Sequence, residues 1–356
     1  MKKSNQNDPI LLLQERVGEE WSAITRANKK AIEAGEKFEK TVKGLSSSDA
    51  SVVVFGSLAR KEWTAKSDVD WTMLIDGQAD PQHLEIAQNI ASRLKKAKFG
   101  EPGATGIFGN MTFSHDLVQK IGGREDTNEN TTRRVLLLQE SKAFGKPDAH
   151  ERVLRLILSR YLNEDWGFKY GRLPTKVPRF LLNDMVRYWR TLTVDFVEKQ
   201  RGQAGHGWGL RNAKLRMSRK LIFSSGMLSC FSCEILSSRK ARAELIGQHS
   251  TAGMEEHLRN FIRYTPLQIL AKFLLELKIR QRTVVKLLSS YDSFLKLLNN
   301  EEKRNHLKNL RPQDIRSDPV FNEVRVFARH FQDGLTALFF QDSEHLRKLT
   351  IFYGVF

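Results

Sequence analysis

The chain has 356 residues, with 58 Lys and Arg against 41 Asp and Glu, which gives a formal net charge of +17. This length allows a substantial hydrophobic core and excludes a mini-protein that depends on disulfides or metals for its stability. The positive charge favours polyanionic partners such as RNA, DNA or triphosphates, or an acidic protein. Charge alone does not separate these from a soluble protein with basic helix faces.

The sequence predicts neither a membrane segment nor a cysteine metal site. Near the N-terminus, the apolar run from Ile10 to Leu13 is too short for a signal peptide or a transmembrane helix. Cys230 and Cys233 are two cysteines in an apolar stretch, and two cannot complete a four-cysteine zinc site. We therefore expect reduced thiols in a helical core and a cytoplasmic protein without a membrane partner.

The first predicted element is a helix over residues 9–44, where apolar residues recur every three or four positions. A Gly- and Ser-rich turn follows it. The most informative segment then runs from Ser51 to Gly77 and predicts a strand, a turn, a short helix and a second strand. The first strand, Val52 to Phe55, ends at Gly56, where the chain can turn without a Cβ clash.

The turn after the first strand is a candidate phosphate site. Gly56 and Ser57 open a helical turn whose free backbone N–H groups can receive phosphate oxygens, together with the Ser57 hydroxyl.

Two carboxylates follow on the next extended segment. Side chains alternate across a strand, so Asp68 and Asp70 share one face and Val69 lies on the other. Adjacent carboxylates repel one another unless a cation lies between them. Mg²⁺ (or Mn²⁺) that carries substrate phosphates suits such a site.

These residues form an ordered pattern: Gly56, Ser57, Arg60, Glu62, Ser67, Asp68 and Asp70. The pattern resembles the signature of the DNA polymerase β-type nucleotidyltransferase superfamily, and within it is most similar to the branch that contains the uridylyltransferase of bacterial nitrogen signalling. The ordered set is more selective than a Gly-Ser pair or an Asp-x-Asp alone. The resemblance implies nucleotide binding by Gly56, Ser57, Arg60 and Ser67, and metal binding and catalysis by Asp68 and Asp70.

The resemblance also implies a third catalytic and metal-binding carboxylate, on a strand beside the first two, and Asp116 is the best candidate. An extended run is predicted from Ile107 to His115. If its odd-numbered residues face the core, then Thr112, Ser114 and Asp116 share the opposite face. Alternatively, Asp116 caps a helix that begins at Leu117. The sequence leaves both interpretations open.

From about Thr127 onward the apolar spacing is helical, with one of the predicted helices at 239–247. The sequence Gly-Lys-Pro at 145–147 predicts the end of a helix, and we place a domain boundary there. The catalytic domain then covers 1–146 and includes the N-terminal helix, and a helical domain over 147–356 completes the nucleotide cleft. The connection at 167–178 is an alternative boundary. The expected fold class is α+β, with a small mixed nucleotidyltransferase sheet, flanking helices and a larger all-α C-terminal region.

A basic helical segment from Arg211 to Lys220 is a second candidate phosphate site. Cations three or four residues apart on a helix project near one another, so Arg211 with Lys214, or Arg216 with Lys220, could grip a triphosphate. Within this segment, Lys214, Arg219 and Lys220 are the candidate nucleotide-binding residues. The alternative is an ordinary basic face paired with acids of neighbouring helices. Later basic clusters are candidates for nucleic-acid binding, although few aromatic residues lie among them.

The predicted function is metal-dependent transfer of a nucleoside monophosphate from an NTP to an acceptor hydroxyl on protein, RNA or a nucleotide, with pyrophosphate release. The resemblance favours a protein acceptor, while the net charge permits an RNA 3′ end. The alternative is a non-catalytic RNA- or partner-binding protein on the same fold. The intact Asp-x-Asp argues against that alternative, and the open question of the third carboxylate argues for it.

Overall fold

The computed structural model describes residues 8–102, 107–166, 177–202, 206–238 and 251–355. The predicted helix at 239–247 and most of the alternative domain boundary at 167–178 lie outside these residues.

By contact density the chain divides into two compact units that are interleaved in sequence. The sheet unit comprises Ala27–Pro174 and Glu244–Thr265, and the helical unit comprises Met1–Arg26, Thr175–Ala243 and Pro266–Phe356. The functional division into domains 1–146 and 147–356 stays a prediction.

The described elements up to residue 166 are, in chain order, α1 (Pro9–Val17), α2 (Ser22–Thr41), β1 (Ala50–Val54), α3 (Gly56–Ala59), β2 (Trp71–Ile75), α4 (Pro81–Lys96), β3 (Asn110–Phe113), α5 (Ser114–Val118), α6 (Asn128–Gln139), β4 (Lys142–Phe144) and α7 (Asp148–Glu164). Those that follow are α8 (Arg179–Gly202), α9 (Trp208–Lys214), a π-helical turn (Leu215–Arg219), α10 (Lys220–Leu236), α11 (Ala252–Phe261), α12 (Pro266–Glu276), α13 (Gln281–Asn299), α14 (Glu301–Asn309), a 3₁₀ turn (Pro312–Arg316), α15 (Pro319–Phe340), α16 (Glu344–Leu349) and a π-helical turn (Thr350–Val355).

The strands form one mixed sheet in the order β3-β2-β1-β4. β1 is antiparallel to both β2 and β4, whereas β2 and β3 are parallel. Val54 faces Trp71 on one side and Lys142 on the other, so the C-terminal end of β1 and the N-terminal ends of β2 and β4 meet at one end of the sheet. After Phe144, the described residues form helices and connections without a strand. The predicted α+β fold class is confirmed.

Both faces of the central strands are buried. One face packs against α2 and α4, through side chains that include Phe38 and Ile90. The opposite face of β1 and β2 is covered in part by α7. Burial of each large apolar side chain stabilises the fold by roughly 1.5–3 kcal/mol, and the core therefore holds the ends of β1 and β2 in a fixed register.

The two cysteines lie where the sequence predicts them. Cys230 and Cys233 are buried thiols in α10, and burial raises the pKa of Cys230. Among the described helices, none has the length and apolarity needed to cross a bilayer. The cytoplasmic location stays a prediction.

A buried histidine joins α7 to the sheet. The backbone N–H of His150 donates to the Ser51 hydroxyl over 3.2 Å, and that hydroxyl donates to the Lys146 carbonyl over 2.8 Å. His150 Nε2 lies 2.7 Å from Ser141 Oγ, and Ser141 donates to the Leu137 carbonyl. Nε2 is therefore the donor to Ser141. Burial lowers the pKa of His150 to about 4 from its usual 6.5, so the folded protein holds this imidazole neutral.

We expect His150 to make the fold sensitive to mild acid. Its pKa is lower in the folded protein than in the unfolded chain, so protons bind the unfolded chain first as the pH falls from about 6.5 towards 4. This linkage should lower the free energy of unfolding by roughly 2 kcal/mol at pH 5. In His150→Gln, urea unfolding between about pH 7 and pH 5 should show a correspondingly weaker dependence on pH. The same dependence in both proteins would contradict the assignment.

Candidate functional site

The turn after β1 is in close contact with Asp70. Gly56 has φ +67°, a left-handed conformation that disfavours residues with a Cβ. A Cβ at this position would lie 2.9 Å from Oδ2 of Asp70. The Phe55 N–H also donates to the Asp70 carbonyl over 2.8 Å. Glycine at position 56 therefore permits both the turn and the approach of the carboxylate.

The predicted alternation of the Asp-x-Asp segment is confirmed. Val69 is fully buried in the sheet core, whereas Asp68 and Asp70 are partly exposed. Asp68 forms an isolated parallel bridge with Gly100, and the Val69 N–H donates to the Gly100 carbonyl over 3.3 Å. The segment therefore presents both carboxylates at the end of the sheet where β2 begins.

Ser67 stabilises the turn before Asp68. Its hydroxyl accepts a hydrogen bond from the Thr64 N–H over 3.0 Å and lies 3.2 Å from the Thr64 hydroxyl. The Ser67 N–H donates to the Thr64 carbonyl over 3.1 Å. In the structure, then, this predicted nucleotide-binding residue holds the chain that leads into Asp68.

Arg60 is buried among carboxylates. Its Nε donates to Glu62 Oε2 over 2.7 Å, and its Nη1 donates to Glu140 Oε2. All three side chains are less than a tenth exposed. The guanidinium therefore links the end of α3 to the end of α6, and loss of one partner would leave buried charge uncompensated.

Asp116 lies in neither of the arrangements that the sequence predicts. β3 ends at Phe113, and the chain turns into α5 at Ser114, so the predicted extended run to His115 is wrong. The N-cap of α5 is Phe113, and Asp116 lies in the first turn. Its carboxylate is 2.6 Å from the Lys120 Nζ and raises the pKa of that ammonium.

The strand beside Asp70 presents uncharged side chains. Asn110 pairs with Thr72, which lies on the same face as Asp70 by alternation. The Thr72 hydroxyl donates to the Asn110 carbonyl over 2.6 Å and lies 2.9 Å from the Thr112 hydroxyl. In the described part of the chain, no three His, Cys, Asp or Glu side chains are grouped closely enough to hold a metal ion. The structure thus brings Asp70 to the turn at Gly56, and the neighbouring strand β3, Asn110–Phe113, contains no acidic residue.

The predicted basic residues lie in the helical unit. Lys214 ends α9, Arg219 ends the π-helical turn, and Lys220 begins α10. The Lys220 Nζ donates to Gln332 Oε1 over 2.6 Å, and its pKa is lowered by burial and then by the charge of Arg216. This segment therefore concentrates positive charge in a partly buried setting.

The comparisons with known proteins concern the N-terminal part of the chain. Residues 36–99 match a family model described as a nucleotidyltransferase domain, over less than a fifth of the chain. The match ends before Asp116 and includes Gly56, Ser57, Arg60, Ser67, Asp68 and Asp70. It supports nucleotidyl transfer as the class of chemistry, without singling out the uridylyltransferase branch. Searches of curated proteins and of solved structures found no significant match.

We expect Gly56→Ala to displace the Asp70 carboxylate, because the new methyl group would lie 2.9 Å from Oδ2. Turnover of labelled NTP should fall at least about tenfold, while the left-handed backbone alone costs roughly 1–2 kcal/mol of stability.

The matched control is Gly44→Ala. Gly44 also has a positive φ, +80°, but a Cβ there would meet nothing within 4 Å. This variant should lose a similar amount of stability, measured by urea unfolding, and keep its turnover. Equal turnover in the two variants would contradict a specific role for the contact between Gly56 and Asp70.

Proposed function

We propose that this chain transfers a nucleoside monophosphate from an NTP to an acceptor hydroxyl, with release of pyrophosphate, at the Gly56-Ser57 turn and the two acids beside it. The observation that carries the proposal is the close approach of the Asp70 carboxylate to Gly56. Such a transfer requires a phosphate-binding turn next to a carboxylate that can hold a cation. The family match over residues 36–99 supports the same chemistry.

Asp68 and Asp70 fit Mg²⁺ or Mn²⁺ by their chemistry. Both are partly exposed carboxylates that share one face of an extended segment. Mg²⁺ is usually held by one or two carboxylates together with substrate phosphates, so two acids are sufficient protein ligands. A bound cation would neutralise charge on the triphosphate and favour the deprotonated form of the acceptor hydroxyl.

The turn residues bind and orient the triphosphate in this proposal. The first N–H groups of α3 have no acceptor within the helix, and Ser57 on the same turn is partly exposed. Arg60 and Ser67 contribute to nucleotide binding through the positions they hold, Arg60 at the end of α3 and Ser67 before Asp68. Positioning and charge stabilisation then supply most of the rate enhancement.

Asp116 is the third carboxylate in the proposal. In this structure its carboxylate is paired with the Lys120 ammonium, so its role in the proposal rests on the sequence pattern. We therefore assign Asp116 a smaller contribution to catalysis than Asp70, whose carboxylate lies close to the Gly56-Ser57 turn.

The acceptor is proposed to be an RNA 3′ end or a protein hydroxyl. The net charge of +17 supports a polyanion, and the similarity to the uridylyltransferase branch supports a protein. Lys214, Arg219 and Lys220, in the helical unit, stay candidate nucleotide- or RNA-binding residues and are assigned to phosphate contacts. The concentration of charge around Lys220 supports this assignment.

The second candidate function is a binding protein that keeps the fold without catalysis. It is favoured by the uncharged Asn110 and Thr112 beside the Asp70 face. Such a protein would bind RNA with an affinity that falls steeply with salt, and would show no metal-dependent turnover of NTP.

We expect Asp68→Asn and Asp70→Asn each to reduce Mg²⁺-dependent turnover by at least about a thousandfold, because each removes a carboxylate from the cation site. Asp116→Asn should reduce it by about tenfold. The measurement incubates the full chain with each labelled NTP, Mg²⁺ or Mn²⁺ and cell extract, and identifies the labelled product as protein, RNA or small nucleotide.

The control is Glu85→Gln, which removes an exposed acid from α4 of the same unit and should leave turnover unchanged. Undiminished turnover in the Asp70→Asn chain would overturn the proposed site. Salt-sensitive RNA binding by a wild-type chain that shows no turnover would establish the second candidate instead.

A further inference from the structure

A pocket lies at the β4 edge of the sheet unit, with a volume of about 410 Å³. Its wall is formed by residues from the end of α3, the end of α6, β4, the start of α7 and the segment that includes the end of α11. We call it the β4-edge pocket. All of its lining residues belong to the sheet unit, and its size is in the range of small-molecule sites.

Four cations from three separate stretches of the chain line this pocket: Lys61, Lys142, Arg259 and Arg263. Within the described residues, none of them forms an ion pair at 4.0 Å or less. Positive side chains gathered without close counter-ions repel one another, and an anion among them would relieve that repulsion.

The acids of the pocket do not balance these cations. The lining includes Glu140 and Glu151. Glu140 is already paired with the buried Arg60, which leaves Glu151 as an exposed carboxylate. Glu255, outside the lining, interacts electrostatically with Arg259. The pKa of Lys142 is lowered by burial first and by the charge of Lys61 second, while the charge of Glu39, outside the lining, acts in the opposite direction.

Lys61 is held in a strained backbone conformation. Its φ is +60°, which residues with a Cβ rarely adopt. The Lys61 N–H donates to the Leu58 carbonyl over 3.3 Å, and the next N–H, of Glu62, donates to the Ser57 carbonyl over 2.8 Å. Strain of this kind persists where the surrounding structure demands it, commonly at functional sites. Here it accompanies a lysine that lines the pocket at the end of α3.

The pocket shares its supporting elements with the candidate transfer site. α3 begins at Gly56 and ends beside the pocket, where Ala59 and Lys61 line the wall. Lys142 pairs with Val54 at the end of the sheet where β2 begins, immediately after Asp70. The remaining lining includes the Tyr264 ring and aliphatic side chains of Leu154 and Ile262, which suit an organic group.

We propose that the β4-edge pocket binds a phosphate-bearing small molecule. Its phosphate contacts the four cations Lys61, Lys142, Arg259 and Arg263, and its organic group occupies the part of the pocket that Tyr264 lines. This inference concerns binding at a second place on the sheet unit, and it does not require the proposed transfer reaction. Its ligand chemistry could come from a nucleoside phosphate or from a free inorganic phosphate.

The test is isothermal titration calorimetry of the full chain carrying both Asp68→Asn and Asp70→Asn, with EDTA and no divalent metal. These conditions prevent metal binding at the candidate transfer site, so the result does not depend on the transfer reaction. The probes are AMP, ADP, inorganic phosphate and pyrophosphate. Stronger binding of AMP or ADP than of inorganic phosphate would identify a nucleotide site, and equal binding would identify a site for the phosphate group alone. Absence of binding by every probe would overturn the proposal.

Lys61→Gly offers a sharper version of the same test. Glycine relieves the left-handed strain, so this variant should have a higher Tm, yet it should weaken binding of the best probe by about tenfold because a cation is lost. Lys142→Gln and Arg263→Gln should also weaken binding.

The matched control is Lys98→Gly. Lys98 belongs to the same unit, has φ +59° and lies outside the pocket lining. It should gain stability and keep its affinity for the probe. Affinity unchanged in Lys61→Gly, Lys142→Gln and Arg263→Gln would show that any binding occurs elsewhere, and would overturn the assignment.

Discussion

The approach of the Asp70 carboxylate to Gly56 constrains the whole N-terminal sheet. It requires β1 to end where β2 begins, a register that the pairing of Val54 with Trp71 provides. It also requires a backbone conformation at position 56 that glycine adopts readily. The buried Arg60 fixes the other end of the same short helix through its carboxylate partners. A four-residue helix is too short to be stable by itself, so its position depends on these anchors.

The parts of this site that the sequence predicts correctly depend on local patterns. Alternation across an extended chain was sufficient to place Asp68 and Asp70 on one face and Val69 in the core. The structural roles of Arg60 and Ser67 are harder to predict from the sequence. The structural role of Arg60 depends on Glu140, 80 residues later in the chain, and a motif of neighbouring residues does not reveal such a partner.

Other predictions failed where one local choice changed the path of the chain. The predicted helix over 9–44 is two helices, because Gly18 adopts the left-handed conformation that ends α1. Alternation along β3 was correct as far as Phe113, where Met111 and Phe113 pack on the core, and it ends when Ser114 turns into α5. In addition, no sequence pattern predicts that Glu244–Thr265 belongs to the sheet unit, because the preceding segment along the chain belongs to the helical unit. The first two are local changes in the path of the chain, whereas the third depends on tertiary packing.

Lys142 has a further consequence for how this chain behaves at high concentration. β4 is an outer strand of the sheet and has only three residues, so it offers a short row of backbone groups to another molecule. Its first residue is Lys142 itself, whose ammonium lies 4.6 Å from the centre of the Phe144 ring. A short, charged outer strand opposes the strand-to-strand pairing that begins aggregation. The Lys142 side chain, which lines the pocket, therefore also opposes pairing of this sheet with the sheet of another molecule.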